Sequence, residues 1–363
     1  MIKQGQEFYL TESLQQHPSA FIIFDKDLSI KWMNNSSKYI FTCEDAEELK
    51  IKGVFSLGTS KKLEEVKIAS SFESNIEIQL RKITFFLRSR VHEVPLEDDS
   101  SFYLLEVITN SKESLEAMKG TITCIEHDRI DLAYQKQINL KTGKLVGLEA
   151  LLRLRDEDGN IIPNDKFIPL IEGESLFSLV VMSSLQKLKK AFELKNEFNM
   201  DGVTIYLNVS AHTAMQDNFT KIFADFVKDL SLKPGELGLE ITETAELEDV
   251  KKAGESFQKL KDIGIPLAID DFGAGYSSLS YLRDLPVDSV KLDKVFAKTI
   301  SEKTTSELIK FVVSVCDTLS LNMLGEGIET DDQKEKFIKI GCPNGQGYLM
   351  HRPEFIEDLK KSL

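Results

Sequence analysis

From about residue 129 the chain alternates short apolar runs with longer helical stretches, and four of those runs end alike. Val146 and Leu148 precede Glu149, and Ile205 and Leu207 precede Asn208. Leu237 and Leu239 precede Glu240, and Leu267 and Ile269 precede Asp270. Strand side chains alternate between faces, so each polar residue points away from its two apolar neighbours. Alternating strands and helices predict a mainly parallel sheet, and a block of roughly 235 residues has the size of one eightfold β/α barrel. With the apolar residues packed outward against helices, Glu149, Asn208, Glu240 and Asp270 face the barrel axis at the C-terminal ends of the strands. That rim is where such barrels place their chemistry. Lys291 stands in the same relation to Val290 and Leu292, and Glu326 also ends an apolar strand. Strands are predicted over 132–137, 145–149, 203–208, 237–241, 267–270, 289–292 and 322–325. Helices are predicted over 178–197, 219–230, 249–263, 306–319 and 332–340.

Three acids, an asparagine and the adjacent Asp271 on one rim repel one another severely unless cations are present. All-oxygen donors suit Mg²⁺ or Mn²⁺ rather than zinc. The neighbours Asp270 and Asp271 suggest one carboxylate bridging two ions while the other holds the second. Paired ions about 4 Å apart are the usual device for hydrolysing phosphate esters. A cationic Lys291 at the same rim is suited to orienting the attacking water or offsetting developing charge. Taken singly the motifs say little: an Asp-Asp pair commonly caps a helix, and so does an asparagine such as Asn208. Asp271-Phe272-Gly273 lacks the other kinase motifs, and Gly273-Ala274-Gly275 lacks the third glycine of a dinucleotide loop.

Composition narrows the partners. A length of 363 residues suggests two domains, and a net charge of −14 argues against an extended nucleic-acid surface. Cys43, Cys124, Cys316 and Cys342 have no zinc or disulfide spacing, so free thiols in a cytoplasmic protein are expected. The first residues have no signal-peptide core, and the apolar run over 176–185 is too short to span a bilayer.

Residues 1–110 read as a small α+β domain. Strands at 21–24 and 30–33 are followed by a helical region through 44–50 and by strands at 76–80, 83–91 and 102–108. That order, with the opening Ser19-Ala20-Phe21-Ile22-Ile23-Phe24-Asp25-Lys26-Asp27 through Met33-Asn34, resembles a PAS sensor domain. No cofactor is assigned to it; His17 and His92 are ordinary lone histidines. Over 111–128, Leu115, Met118, Ile122 and Ile125 fall at helical spacing. They fit either a two-helix seam across a homodimer or the first helix of the barrel domain spanning 129–363.

The barrel block also resembles the EAL domains, phosphodiesterases of cyclic di-GMP. The resemblance rests on Tyr134-Gln135, Gly147-Leu148-Glu149-Ala150-Leu151-Leu152-Arg153, Asn208-Val209-Ser210 and Glu240-Ile241-Thr242-Glu243. It continues through Asp270-Asp271-Phe272-Gly273-Ala274-Gly275-Tyr276-Ser277-Ser278-Leu279, Lys291-Leu292-Asp293, Glu326-Gly327-Ile328-Glu329-Thr330 and Gln346-Gly347-Tyr348. It implies an eightfold barrel with one antiparallel strand, and two Mg²⁺ or Mn²⁺ ions held by Glu149, Asn208, Glu240, Asp270 and Asp271. Glu326 is implied as a further ligand or as the general base, and Lys291 as the holder of the attacking water. Gln135, Leu152, Arg153, Asp293, Glu329 and Gln346 are implied around the substrate, and Glu243 as the anchor of the loop after Asp271. Lys136 stands where the family usually has proline. The implied reaction opens cyclic di-GMP to the linear dinucleotide under control of the PAS-like domain. A receptor that binds cyclic di-GMP without turnover, acting through a partner protein, is the alternative.

Overall fold

The computed structural model describes residues 14–15, 19–41, 43, 48–56, 71–80, 83–95, 101–107, 112–164, 167–168, 175–215, 219–242, 250–273 and 279–363. The chain divides into two compact units, one of residues 1–130 with 154–183 and the other of 131–153 with 184–363.

The N-terminal sheet is antiparallel with spatial order β2-β1-β6-β5-β4-β3. Its strands are β1 (Phe21–Phe24), β2 (Ile30–Met33), β3 (Leu49–Ser56), β4 (Ser71–Leu80), β5 (Ile83–Pro95) and β6 (Ser101–Val107). The helix Asn35–Phe41 follows β2. Buried Asn34 fastens these pieces: its Oδ1 accepts from the N–H groups of Phe21 and Ser37, both at 3.0 Å, and its Nδ2 donates to Ser19 O at 2.8 Å. Buried amides are tolerated when satisfied in this way. Four strands follow the helix rather than the expected three, because β3 takes the end of the segment read as helical. Leu49 and Ile51 are buried on alternate positions, but the register shifts between Ile51 and Gly53 and breaks the period.

The helix Lys112–Glu126 covers most of 111–128. Ile122 is buried in the core that also holds Ile22, Phe24, Ile40, Phe41, Ile76 and Leu105, and Ile125 packs against it. These two positions therefore serve the N-terminal core, a use that neither the seam nor the barrel-helix reading anticipated. The side chains of Leu115 and Met118 lie outside the described residues.

The second sheet holds the remaining strands in the order β16-β7-β15-β14-β13-β12-β11-β10-β8-β9, and a β7–β8 pairing closes eight of them into a barrel. They are β7 (Ile130–Asn139), β8 (Leu145–Arg155), β9 (Ile161–Ile162), β10 (Thr204–Ser210), β11 (Leu237–Thr242) and β12 (Leu267–Phe272). β13 (Ser289–Leu292), β14 (Asn322–Gly325), β15 (Asn344–Gly345) and β16 (Glu354–Phe355) complete the set. From β8 through β10 to β15 the pairs are parallel, and β7 runs against β15, as the resemblance implied. Helices Ser175–Glu197, Phe219–Asp229, Val250–Asp262, Lys303–Leu319 and Asp331–Ile340 lie between strands close to where periodicity placed them. The outward residues Ile205, Leu207, Leu237, Leu239 and Leu267 are all buried, so each strand is clamped against its helices and its polar side chain is left facing the axis.

Gly347 shows how closely the last rim segment is packed. A Cβ there would overlap the backbone of Ile328, whose N–H donates to Gln346 O and whose carbonyl accepts from Leu349 N. Gly120, by contrast, sits mid-helix with open space around its Cβ position. Gly347→Ala is expected to cost about 1–3 kcal/mol in urea unfolding, whereas Gly120→Ala raises stability by up to about 1 kcal/mol. Equal tolerance at both positions contradicts this packing.

Candidate active site

Neighbouring strands bring the polar residues together through their register. Tyr206 pairs with Glu149, Asn208 with Glu240, and Thr242 with Asp270. Asn208, Glu240 and Asp270 each lie two residues before a strand end, as expected for a rim. Glu149 differs: β8 runs on to Arg155, so this glutamate is mid-strand, with Leu152 and Arg153 farther along.

Asp270 and Asp271 would point to opposite faces of a regular strand. They do not, because β12 bulges: its pairing with β13 shifts register between Ile269 and Phe272, and Asp271 has a left-handed φ of 51°. Such a φ is uncommon outside glycine, though aspartate tolerates it better than most residues. The bulge gives two groups of carboxylates whose oxygens lie within 4.8 Å of one another: Glu149, Glu240 and Asp270, and Asp270, Asp271 and Glu326. Asp270 belongs to both.

Lys291 sits in the middle. Its buried Nζ lies 2.6 Å from Glu240 Oε2, 2.8 Å from Glu326 Oε1, 2.9 Å from Asp270 Oδ1 and 3.6 Å from Glu149 Oε1. Amides complete the shell. Asn208 Nδ2 donates to Glu149 Oε1 at 2.8 Å, and Gln346 Nε2 donates to Glu149 Oε2 and to Gln135 Oε1. Gln137 Nε2 donates to Glu240 Oε1 at 2.9 Å. Sequence reasoning missed Gln137, although Gln135 and Gln137 sit two apart and so share one face of β7. A cavity of about 420 Å³ reaches Glu240 and Lys291 past Tyr206 from Thr204, Ser289 and Asn322 at the strands' N-terminal ends.

Burial opposes every charge here, and the outcome differs by residue. Burial works to raise the Glu149 pKa, but Lys291 and the Gln346 and Asn208 amides outweigh it and hold the group below the usual carboxylate range. Burial, reinforced by Glu149 and Asp270, pushes Glu240 well up; burial and Glu149 raise Asp270. Burial with Asp270 and Asp293 raises Asp271 to about 6, and burial with Asp270 and Glu149 raises Glu326 to about 8. Burial alone would discharge Lys291, yet the surrounding carboxylates hold its pKa well above the ordinary value.

The remaining predicted residues separate. Arg153 is half-buried; burial lowers its pKa, Glu149 opposes this, and its Nη1 donates to the carbonyl of Leu152 at 2.7 Å. Asp293 caps the helix Lys294–Thr299, accepting from Val295 N at 2.8 Å, while its charge bears on Asp271. Glu329 is exposed just before the capping box of Asp331–Ile340, outside both carboxylate groups. Glu243 and the loop segment 274–278 lie outside the described residues.

The donors fit hard divalent cations. Four acids share one lysine, Asp271 adds a fifth carboxylate beside them, and Asp270 Oδ1 and Gln346 Oε1 are buried without an aligned hydrogen bond from the described residues. Protons on Asp271 and Glu326 compete with a cation, so Mn²⁺ affinity by calorimetry should rise roughly tenfold per pH unit from 6 to 8, with proton release. The same two groups hold protons more tightly when folded, so their contribution to metal-free stability is complete below about pH 4 and is lost as pH rises through 6 and 8. A pH-independent affinity contradicts the assignment. Lys291→Met leaves the carboxylates unpaired and should cost the metal-free protein about 3–5 kcal/mol, largely recovered with Mn²⁺.

The EAL domain family matches residues 116–353. Cyclic di-GMP phosphodiesterase PdeA of Borreliella burgdorferi is 29% identical over 354 residues, covering 89% of this chain and 52% of that protein. Cyclic di-GMP phosphodiesterase PA2567 of Pseudomonas aeruginosa is 32% identical over 232 residues, covering 63% of this chain and 39% of that protein. The chain thus spans about half the length of the first relative and less of the second. Among solved structures, the PaMucR phosphodiesterase in complex with c-di-GMP has a TM-score of 0.63 at 28% identity, covering 67% of this chain and 99% of that one. A match over most of the chain, on a barrel whose rim gathers two groups of carboxylates, places this protein in the EAL domain family.

Proposed function

We propose that this chain is a metal-dependent phosphodiesterase that hydrolyses one phosphodiester bond of cyclic di-GMP to give linear 5'-pGpG. The observation that carries the reading is the pair of carboxylate groups sharing Asp270. Glu149, Asn208, Glu240 and Asp270 would hold one divalent ion, and Asp270, Asp271 and Glu326 the second. Two bound Mg²⁺ or Mn²⁺ ions supply water activation and charge neutralisation in an in-line displacement.

The side chains then have distinct tasks. Lys291, held cationic, donates to the attacking water and offsets the charge that develops on the phosphorane. Glu326, whose pKa is raised to about 8 before any ion binds, would give up its proton when it takes its place as a ligand to the second ion. Arg153 offers forked donors to a phosphate, and Gln135 and Gln346 order the wall beside Glu149. Leu152, Asp293 and Glu329 are assigned to the substrate side of the same rim.

The N-terminal sheet is proposed as a PAS-like sensor that sets the activity, in a cytoplasmic homodimer. Consistent with a reducing compartment, all four cysteines are free and buried, and no helix among the described residues is long and apolar enough to cross a membrane. Purified protein with Mg²⁺ or Mn²⁺ should convert cyclic di-GMP to the linear dinucleotide, and Asp270→Asn should lower the rate about a hundredfold or more. Wild-type turnover no faster than the variant's sinks the enzyme reading and leaves a cyclic di-GMP receptor.

A further inference from the structure

The family resemblance breaks at Lys136, and the structure gives that residue work. Lys136 lies one position after Gln135 on β7, facing outward, half-buried between β16 and the C-terminal helix Ile356–Ser362. Its Nζ donates to Ser362 O at 2.7 Å and to Ser362 Oγ at 3.1 Å. Ser362 Oγ donates to Glu354 Oε2 at 2.8 Å, and the same oxygen lies 3.1 Å from His351 Nε2. His351 Nδ1 in turn accepts from the backbone N–H of Lys136 at 3.4 Å. The circuit is closed, and it sets the His351 tautomer: Nδ1 accepts, so Nε2 carries the proton toward Glu354.

This ring requires both halves of Lys136. Proline at this position has no N–H for His351 and no ammonium for Ser362. The ring matters to the active site because His351 O accepts from Gln135 Nε2 at 2.9 Å. Gln135 Oε1 accepts from Gln346 Nε2 at 2.8 Å, and Gln346 also donates to Glu149. The Gln135 amide is therefore pinned between a rim residue and a backbone carbonyl whose place depends on the ring.

We propose that Lys136 is a positioning residue: through Ser362, Glu354 and His351 it clasps the C-terminal helix and seats Gln135 for the ligand. The ligand half of this inference rests on the cyclic di-GMP reading above; the clasp does not. It acts without touching substrate, so its loss weakens binding through one misplaced amide. Losing one such hydrogen bond corresponds to roughly a five- to tenfold change in affinity.

Two readouts on the full chain test it. By hydrogen–deuterium exchange without ligand, Lys136→Met speeds exchange over residues 346–351 and 356–362, and Lys136→Arg stays near wild type. Unchanged exchange in Lys136→Met overturns the clasp. Should Lys136→Met fold poorly, Ser362→Ala removes the Oγ link to Glu354 while keeping the Nζ bond to Ser362 O, and speeds exchange over 346–351 more than over 356–362; unchanged exchange over 346–351 overturns the clasp. By calorimetry with a phosphorothioate analogue of cyclic di-GMP, Lys136→Met binds about five- to tenfold more weakly, and Arg restores affinity. In a Gln135→Ala background the Lys136→Met change has no further effect. An equal loss in that background overturns positioning through Gln135 and leaves a structural role alone. Failure of the wild type to bind the analogue counts against the phosphodiesterase reading, and the exchange result then decides the clasp by itself.

Discussion

The site is organised around one buried ammonium. Lys291 Nζ sits within 3.6 Å of oxygens from Glu149, Glu240 and Asp270, carried on three other strands, and from Glu326 just past the end of β14. Without it the inner barrel would collect carboxylates that must either protonate or separate. With it, one positive charge is divided among four acids, and the balance is incomplete. Glu149 remains an anion while Glu240, Asp270 and Glu326 are pushed toward the neutral form, by burial first and by one another second. A cluster in this condition has capacity for more positive charge. Its oxygens already lie close enough to share it.

The fold supplies that proximity at little entropic cost because Glu149, Asn208, Glu240, Asp270 and Lys291 project from hydrogen-bonded strands and Glu326 directly follows β14. Asp271 reaches the second carboxylate group through the bulge in β12. A left-handed aspartate of this kind is strained, and strain of this type is retained where surrounding structure over-determines it. Here the following strand β13 carries Lys291, and Asp293 comes directly after its end. The helix cap and the lysine are thus built from the same segment that the bulge faces.

Much of this was legible in the sequence. Apolar residues two apart followed by an acid located the strands, because burial of the outward face against helices forces that period. Three features were not. β15 is only Asn344–Gly345, too short and polar to show any period, yet it closes the barrel and places Gln346. The adjacency of Asp270 and Asp271 suggested their joint use, but the bulge that allows it left no sequence signal, since strict alternation puts the two on opposite faces. In the N-terminal unit, β3 changes phase at Gly53, and Lys50 and Lys52 gave it a helical, polar look. Lys136 illustrates the converse: the sequence marked it as a departure, but its partners lie at His351, Glu354 and Ser362, far along the chain.

The two carboxylate groups are proposed to hold two cations joined by Asp270. Electron paramagnetic resonance of the Mn²⁺-loaded protein tests it directly, because neighbouring ions that share a bridging ligand couple their spins. The account predicts two bound Mn²⁺ per chain with a spin-coupled spectrum, and loss of the coupling in Asp270→Asn. One bound ion per chain, or two showing only the spectrum of isolated Mn²⁺, would contradict it.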